Sequence, residues 1–136
     1  MSAKKNLDIA QQFLAKLGAG ARPEEIATLF SADLDWNIPG DTGALPWIGH
    51  KTGRGAVVDF VRDSNQMIER LGFEVFEVLA SEERAIIFGK LASRLRSNGK
   101  TVEQAFAIVL TIAGDEIIRF LMLEDSFAVA NAARAR

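Results

Sequence analysis

The sequence predicts an α+β fold in which about three main helices pack on a curled antiparallel β-sheet that encloses a pocket. Three observations predict it. The main helical periodicity lies in the first half of the chain, most of the rest reads as strand, and tight-turn signals separate the successive strands. Helices gathered on one side of antiparallel strands make a layer fold, and a strongly twisted sheet leaves a hollow beneath its long helix.

Ile9, Phe13 and Leu17 recur every four residues, with Ala10 and Leu14 beside them. That spacing predicts a helix over 6–18, ended by Gly18 and Gly20. Pro23 suits a first helical position, and Glu24 and Glu25 follow where the helix dipole favours carboxylates. Ile26, Leu29 and Phe30 give this short helix its apolar side. Leu34-Asp35-Trp36-Asn37-Ile38 alternates strictly and reads as a strand stopped by Pro39-Gly40. A Gly-rich loop over 41–52 carries Pro46, Trp47 and His50. Residues 53–71 read as the longest helix, with Val57, Phe60, Val61, Ser64, Met67, Ile68 and Leu71 at 3.6 spacing and Gly72 placed to end it. Strands follow at 73–80, 84–96, 101–112 and 116–124. Ser81-Glu82-Glu83, Ser97-Asn98-Gly99-Lys100 and Ala113-Gly114-Asp115 are the turns between them. Ser126 is placed to cap an Ala-rich tail helix. No repeat or linker interrupts the chain, so residues 1–136 read as one domain.

Nearly half the residues are apolar, enough for a sizeable core, and the charges almost cancel at a net −2. Such a balance favours neither nucleic acid nor an anionic membrane as partner. The lack of cysteine removes disulfides, thiolate metal sites and a cysteine nucleophile, and fits a cytoplasmic protein. The polar N-terminus has no signal-peptide core, and no apolar run is long enough to cross a bilayer. A lone histidine without spaced carboxylates makes no metal site. Gly53-Arg54-Gly55 hints at an anion site but lacks the spacing of a P-loop or dinucleotide fingerprint, so no cofactor is expected.

Three local patterns carry a family resemblance. Leu29-Phe30-Ser31-Ala32-Asp33 leads into Asp35-Trp36-Asn37-Ile38-Pro39-Gly40. Leu45-Pro46-Trp47-Ile48-Gly49 leads into Gly53-Arg54-Gly55-Ala56-Val57. The chain then ends on Leu123-Glu124-Asp125-Ser126-Phe127-Ala128-Val129-Ala130. In this order and spacing, over nearly the whole chain, they resemble the NTF2-like superfamily, in its SnoaL-like and ketosteroid-isomerase-like branch. The resemblance implies a cone-shaped fold, which hosts enzymes, binding proteins and interaction modules alike.

It also allows known catalytic sets to be tested by residue. Ketosteroid isomerases place a Tyr on the first helix, an Asp base at the end of the first strand and a protonated Asp on the next-to-last strand. Those positions correspond here to Phe13, Ile38 and about Ala107, all apolar, so the dienolate has no base and no acidic donors. Limonene-epoxide-hydrolase-like members hold water with a Tyr, an Asn and an Asp–Arg–Asp array. Asn37 matches, but Asp35 stands at the Tyr, Lys90 near the Arg, and Ala92 and Met122 at the aspartates. A SnoaL-type cyclase asks only for one acid–base group in an apolar cavity, which this chain can supply.

Asp35 and His50 are the candidate catalytic residues. If Leu34, Trp36 and Ile38 pack on helices, Asp35 and Asn37 look into the cavity, where burial would raise the pKa of an Asp and make it a base. His50, the only histidine, stands in a Gly-rich loop and titrates near neutral pH. Against this, Asp35 can be a strand-edge carboxylate and His50 a solvated loop residue. Trp47 is expected at the cavity rim. Trp36, Phe60, Met67, Phe88, Phe106 and Met122 are core residues that can also line the cavity. Lys90, between Phe88 and Ala92, is a candidate to point into the cone and hold an acidic ligand.

The late strands carry apolar residues on both faces, for example Ile86 with Ile87. One face lines the cavity and the other needs cover, which predicts a homodimer through the sheet. The expected ligand is a small hydrophobic molecule. Three readings stay open: a lyase, isomerase, cyclase or hydrolase moving protons; a non-catalytic binder; and an interaction module with a plugged cone.

Overall fold

The computed structural model describes residues 2–135. Helix α1 (Ala3–Gly18) starts where the Ser2 hydroxyl accepts from the Lys5 N–H, and buries Ile9, Ala10 and Phe13. Helix α2 (Pro23–Ala27) has Pro23 in its first turn, where a missing N–H costs nothing. Strand β1 (Phe30–Ile38) follows, and the end of the Gly-rich segment forms an edge strand, β2 (Gly49–Thr52), that pairs antiparallel with it. Then come α3 (Gly55–Met67), β3 (Ile68–Ala80), β4 (Arg84–Leu95), β5 (Thr101–Ala113), β6 (Glu116–Leu123) and α4 (Ser126–Arg134).

The six strands form one sheet in the order β2-β1-β6-β5-β4-β3. It is mixed: β1 runs parallel to β6, and every other pair is antiparallel. The expected curled, mainly antiparallel sheet is found, and the one parallel junction joins strands about eighty residues apart, beyond the reach of local patterning. Four helices pack on the sheet, which curls without closing.

The predicted long helix is also corrected. Helix α3 stops at Met67, and α1, at 16 residues against 13, is the longer. Ile68, Glu69 and Arg70 pair instead with Leu95, Arg94 and Ser93. Helical spacing thus lost to a long antiparallel ladder. Gly72 ends no helix; it lies within β3 opposite Ala92.

Strand β3 contains two bulges. The register slips between Arg70 and Gly72 and again between Val75 and Glu77, leaving Leu71 and Phe76 as extra residues. Bulges bend a strand and raise its twist, so they help curl β3 over the concave side. The close approach needs Gly89, where an added Cβ would lie 2.1 Å from the Glu74 carbonyl oxygen.

Turn chemistry follows the sequence. Asn98-Gly99 makes the β4–β5 hairpin, with Gly99 at φ 72°. The Asn98 amide donates to the carbonyls of Ala132 and Ala135, both at 2.9 Å, which ties the end of α4 to the hairpin. Gly114 and Asp115 both take positive φ, 57° and 65°, as a tight β5–β6 turn requires. The cap of α4 is Asp125, one residue earlier than expected: its carboxylate accepts from the Ala128 N–H at 3.0 Å. Asp125→Ala is expected to cost about 1 kcal/mol, read by denaturant unfolding; no loss would mean that α4 docks without its cap.

The core lies between the helices and the concave sheet face. Its centre is aromatic: Trp36 stacks on Phe120 with centroids 4.2 Å apart, and Phe13 meets Phe30 and Phe120 edge-on at 5.7 and 6.2 Å. Among the described residues, no helix is long and apolar enough to cross a membrane.

Candidate functional site

A cavity of about 90 Å³ lies between α1, α3 and the concave faces of β3–β6. Phe13 and Leu17 come from α1, Phe60 from α3, and Leu45 and Trp47 from the loop that closes over it. The sheet contributes Phe73, Leu91, Val102, Ile108, Phe120 and Met122. These side chains share one face because alternate residues of a strand do. The volume suits a one-ring molecule better than a steroid-sized one.

Few polar groups interrupt this wall. Glu124 follows Phe120 and Met122 at strand spacing, so its carboxyl faces the same hollow. Gln104 lies on neighbouring β5; its amide N–H donates to Glu124 Oε1 at 3.4 Å, and its carbonyl accepts from the Asp125 N–H at 2.8 Å. Burial pushes the Glu124 pKa up from 4.5 to about 7, against the Gln104 hydrogen bond and with help from the Asp125 charge. This carboxyl is therefore poised to give or take a proton at neutral pH. Ser64 and Ser93 are buried in the wall, and Ser64 Oγ donates to the Val61 carbonyl at 3.3 Å. Arg70, alone among the lining residues, is exposed, and it marks the mouth.

A family model for the SnoaL-like domain matches residues 10–120, most of the chain. The chain belongs to the SnoaL-like family. Among solved structures, an NTF2-like protein from Burkholderia xenovorans is 25% identical, with TM-score 0.87, covering 98% of this chain and 99% of that one. An NTF2-like protein of unknown function from Burkholderia pseudomallei is 19% identical at TM-score 0.84, covering 99% and 100%. A candidate SnoaL-like polyketide cyclase from Mesorhizobium loti is 15% identical at TM-score 0.70, covering 85% and 95%. No protein with a curated record matches the chain in sequence.

Within this SnoaL-like domain the sequence-predicted residues divide sharply. Trp47, Phe60 and Met122 line the cavity, Trp47 as a buried wall residue and not at the rim. Trp36 and Phe106 are buried behind the wall, stacked on Phe120 and Phe73 respectively. Met67 and Phe88 lie outside the cavity and are exposed, Phe88 against Phe76 on the convex face. Lys90 points away from the cone as well: it alternates with the buried Gly89 and Leu91 side of β4.

Asp35, Asn37 and His50 also lie outside the cavity, which corrects their expected placement. Leu34, Trp36 and Ile38 are fully buried, and the residues between them face the convex surface. The helices and the cavity occupy the same side of the sheet, so the apolar face of β1 is at once the helix-packing face and the cavity face. His50 Nε2 pairs with Asp35 Oδ1, and Arg119 Nε lies 3.8 Å from Asp35 Oδ2, all three being solvent-reached. The cluster ties β2, β1 and β6 together on the outside. Asp35→Asn is accordingly expected to leave ligand binding in the cavity unchanged; a tenfold loss, about 1.4 kcal/mol, would return Asp35 to the site.

Arg54 is structural. Its Nε donates to the Phe30 carbonyl at 2.8 Å and its guanidinium pairs with Glu116 at 3.2 Å. Sequence reading passed over Glu124, Gln104 and Arg70 as site residues. The signal for Glu124 was present: it stands two and four residues after Met122 and Phe120, a charge continuing a buried face. Arg70 was hidden by its assignment to a helix.

Proposed function

We propose that the protein binds a small, mostly apolar molecule in the concave cavity and moves a proton on it through Glu124. The observation that carries this reading is a single carboxyl, its pKa raised by burial to about 7, in a mostly aromatic and aliphatic wall. A general acid–base group works best when its pKa is near the working pH, and burial is the usual means of raising a Glu that far. Isomerase- or cyclase-type chemistry at carbon next to a carbonyl fits one such group.

The test does not require knowing the net reaction. One-ring ketones incubated with the protein in D2O should exchange the hydrogens next to the carbonyl, followed by proton NMR. A second reading, a non-catalytic binder, is favoured by the apolar residues Phe13 and Met122 in the cavity wall, at positions where the family resemblance implies polar catalytic groups. Binding of those ketones without any protein-dependent exchange would select it.

The convex sheet face supports a homodimer. Leu79, Ile86, Phe88 and Leu123 there are 53, 37, 45 and 46% exposed, and Ala105, Ala107 and Val109 fill the β5 surface beside them. Light scattering at micromolar concentration should give twice the chain mass, and Phe88→Lys should shift it to monomer. A monomeric wild type would remove the assignment.

A further inference from the structure

We infer that the cavity takes an aromatic ligand bearing a delocalised oxyanion, held at the mouth by Arg70. This rests on the reading of the cavity as a ligand site. Four observations point to it. Arg70 lines the cavity, yet its side chain makes no ion pair or hydrogen bond with the described residues, whereas the neighbouring Arg94 pairs with Glu69 at 3.2 Å. The bulge at Leu71 is what brings it there. In a regular strand Arg70 and Phe73, three apart, would face opposite sides; with Leu71 extra, Arg70 opposite Ser93 and Phe73 opposite Leu91 both face inward. The guanidinium carbon sits 5.3 Å from the Phe73 ring centre, and Phe73 stacks on Phe106 at 5.1 Å. An aromatic plane under a guanidinium holds it while leaving its N–H edge free.

Partial desolvation also lowers the Arg70 pKa from its ordinary value, and no anion among the described residues pairs with the guanidinium. An incoming carboxylate, enolate or phenolate supplies that anion: a planar guanidinium meets both oxygens of a carboxylate, or gives two N–H bonds to the single oxygen of an enolate or phenolate. Glu124 lies across the sheet, just past the end of β6, three strands from the β3 that carries Arg70. A ligand oxyanion at Arg70 and a reacting carbon towards Glu124 therefore fit one molecule lying along the aromatic wall. A ligand anion placed beside Glu124 itself would be repelled by its ionised form.

Ligand-observed NMR titration tests this with two matched pairs: cinnamate against cinnamamide, and 4-nitrophenolate against 4-nitroanisole. Wild type should prefer the anion by about tenfold in at least one pair, the size of a charge-assisted hydrogen bond pair near a surface. The pair that shows the preference tells a carboxylate from a phenolate or enolate. Arg70→Met should abolish the preference while leaving the neutral probe within about threefold, and Arg70→Lys should restore part of it. Equal affinity for anion and neutral probe in wild type, or a preference that survives Arg70→Met, overturns the assignment to Arg70 and leaves the cavity reading standing. Failure of all four probes to bind overturns both.

Discussion

Glu124→Gln is expected to abolish proton exchange on a bound ketone, by about 10²-fold or more, while leaving binding of neutral probes intact. The amide keeps the shape and can still accept from Gln104, but it carries no exchangeable proton at the right pKa. Wild-type exchange should also follow a single ionisation at about pH 7, the value to which burial raises this carboxyl. A pH profile centred elsewhere, or exchange surviving in the variant, would move the acid–base role to another group.

The same substitution carries a stability signature of known sign. Glu124 holds its proton up to about pH 7 when folded but only to about 4.5 when unfolded. The folded state therefore binds more protons across that window, and stability falls as pH rises through it. Below the window the protonated carboxyl costs nothing; above it the buried charge costs up to about 3 kcal/mol, less whatever water reaches it at this half-buried position. Glu124→Gln should thus raise the melting temperature at pH 8 by several degrees, about 2–4 °C for each kcal/mol in a chain of this size, and leave it nearly unchanged at pH 4. A variant less stable at both pH values would show that the carboxyl is held as a structural hydrogen-bond partner.

Gly89→Ala is the substitution expected to damage the fold most. The new methyl would stand 2.1 Å from the Glu74 carbonyl oxygen and 3.1 Å from Phe106 Cζ. A flexible side-chain tip could move aside, but a strand carbonyl beside the second bulge cannot without opening the β3–β4 ladder. Overpacking of this severity costs about 3 kcal/mol or more. It would also loosen the curled strand that brings Arg70 and Phe73 to the cavity. Gly55→Ala is the control: its Cβ meets nothing within 4 Å and it opens α3, so it should be neutral or slightly stabilising. Denaturant midpoints for the two variants decide the point, and equal midpoints would remove the steric account.

By itself the sequence determined what depends on neighbours along the chain. Ile9, Phe13 and Leu17 set the buried side of α1, Pro23 opens α2, and Asn98-Gly99 and Gly114-Asp115 turn the late strands, because periodicity and turn chemistry act over a few residues. The strict alternation at 34–38 likewise separated the two faces of β1, with Leu34, Trp36 and Ile38 buried together. Only the tertiary structure decided which way that burial faces. Helices and cavity share the concave side, so Asp35, Asn37 and His50 were turned outward and Glu124 inward, although both β1 and β6 alternate in the same manner. Tertiary pairing also ended α3 at Met67, since the ladder of Ile68, Glu69 and Arg70 with β4 outweighs helical spacing in a short segment. The two bulges of β3 complete the difference. A bulge inserts one residue and flips every side chain after it, and no periodicity read from the sequence foresees where a strand must bend to close over its own cavity.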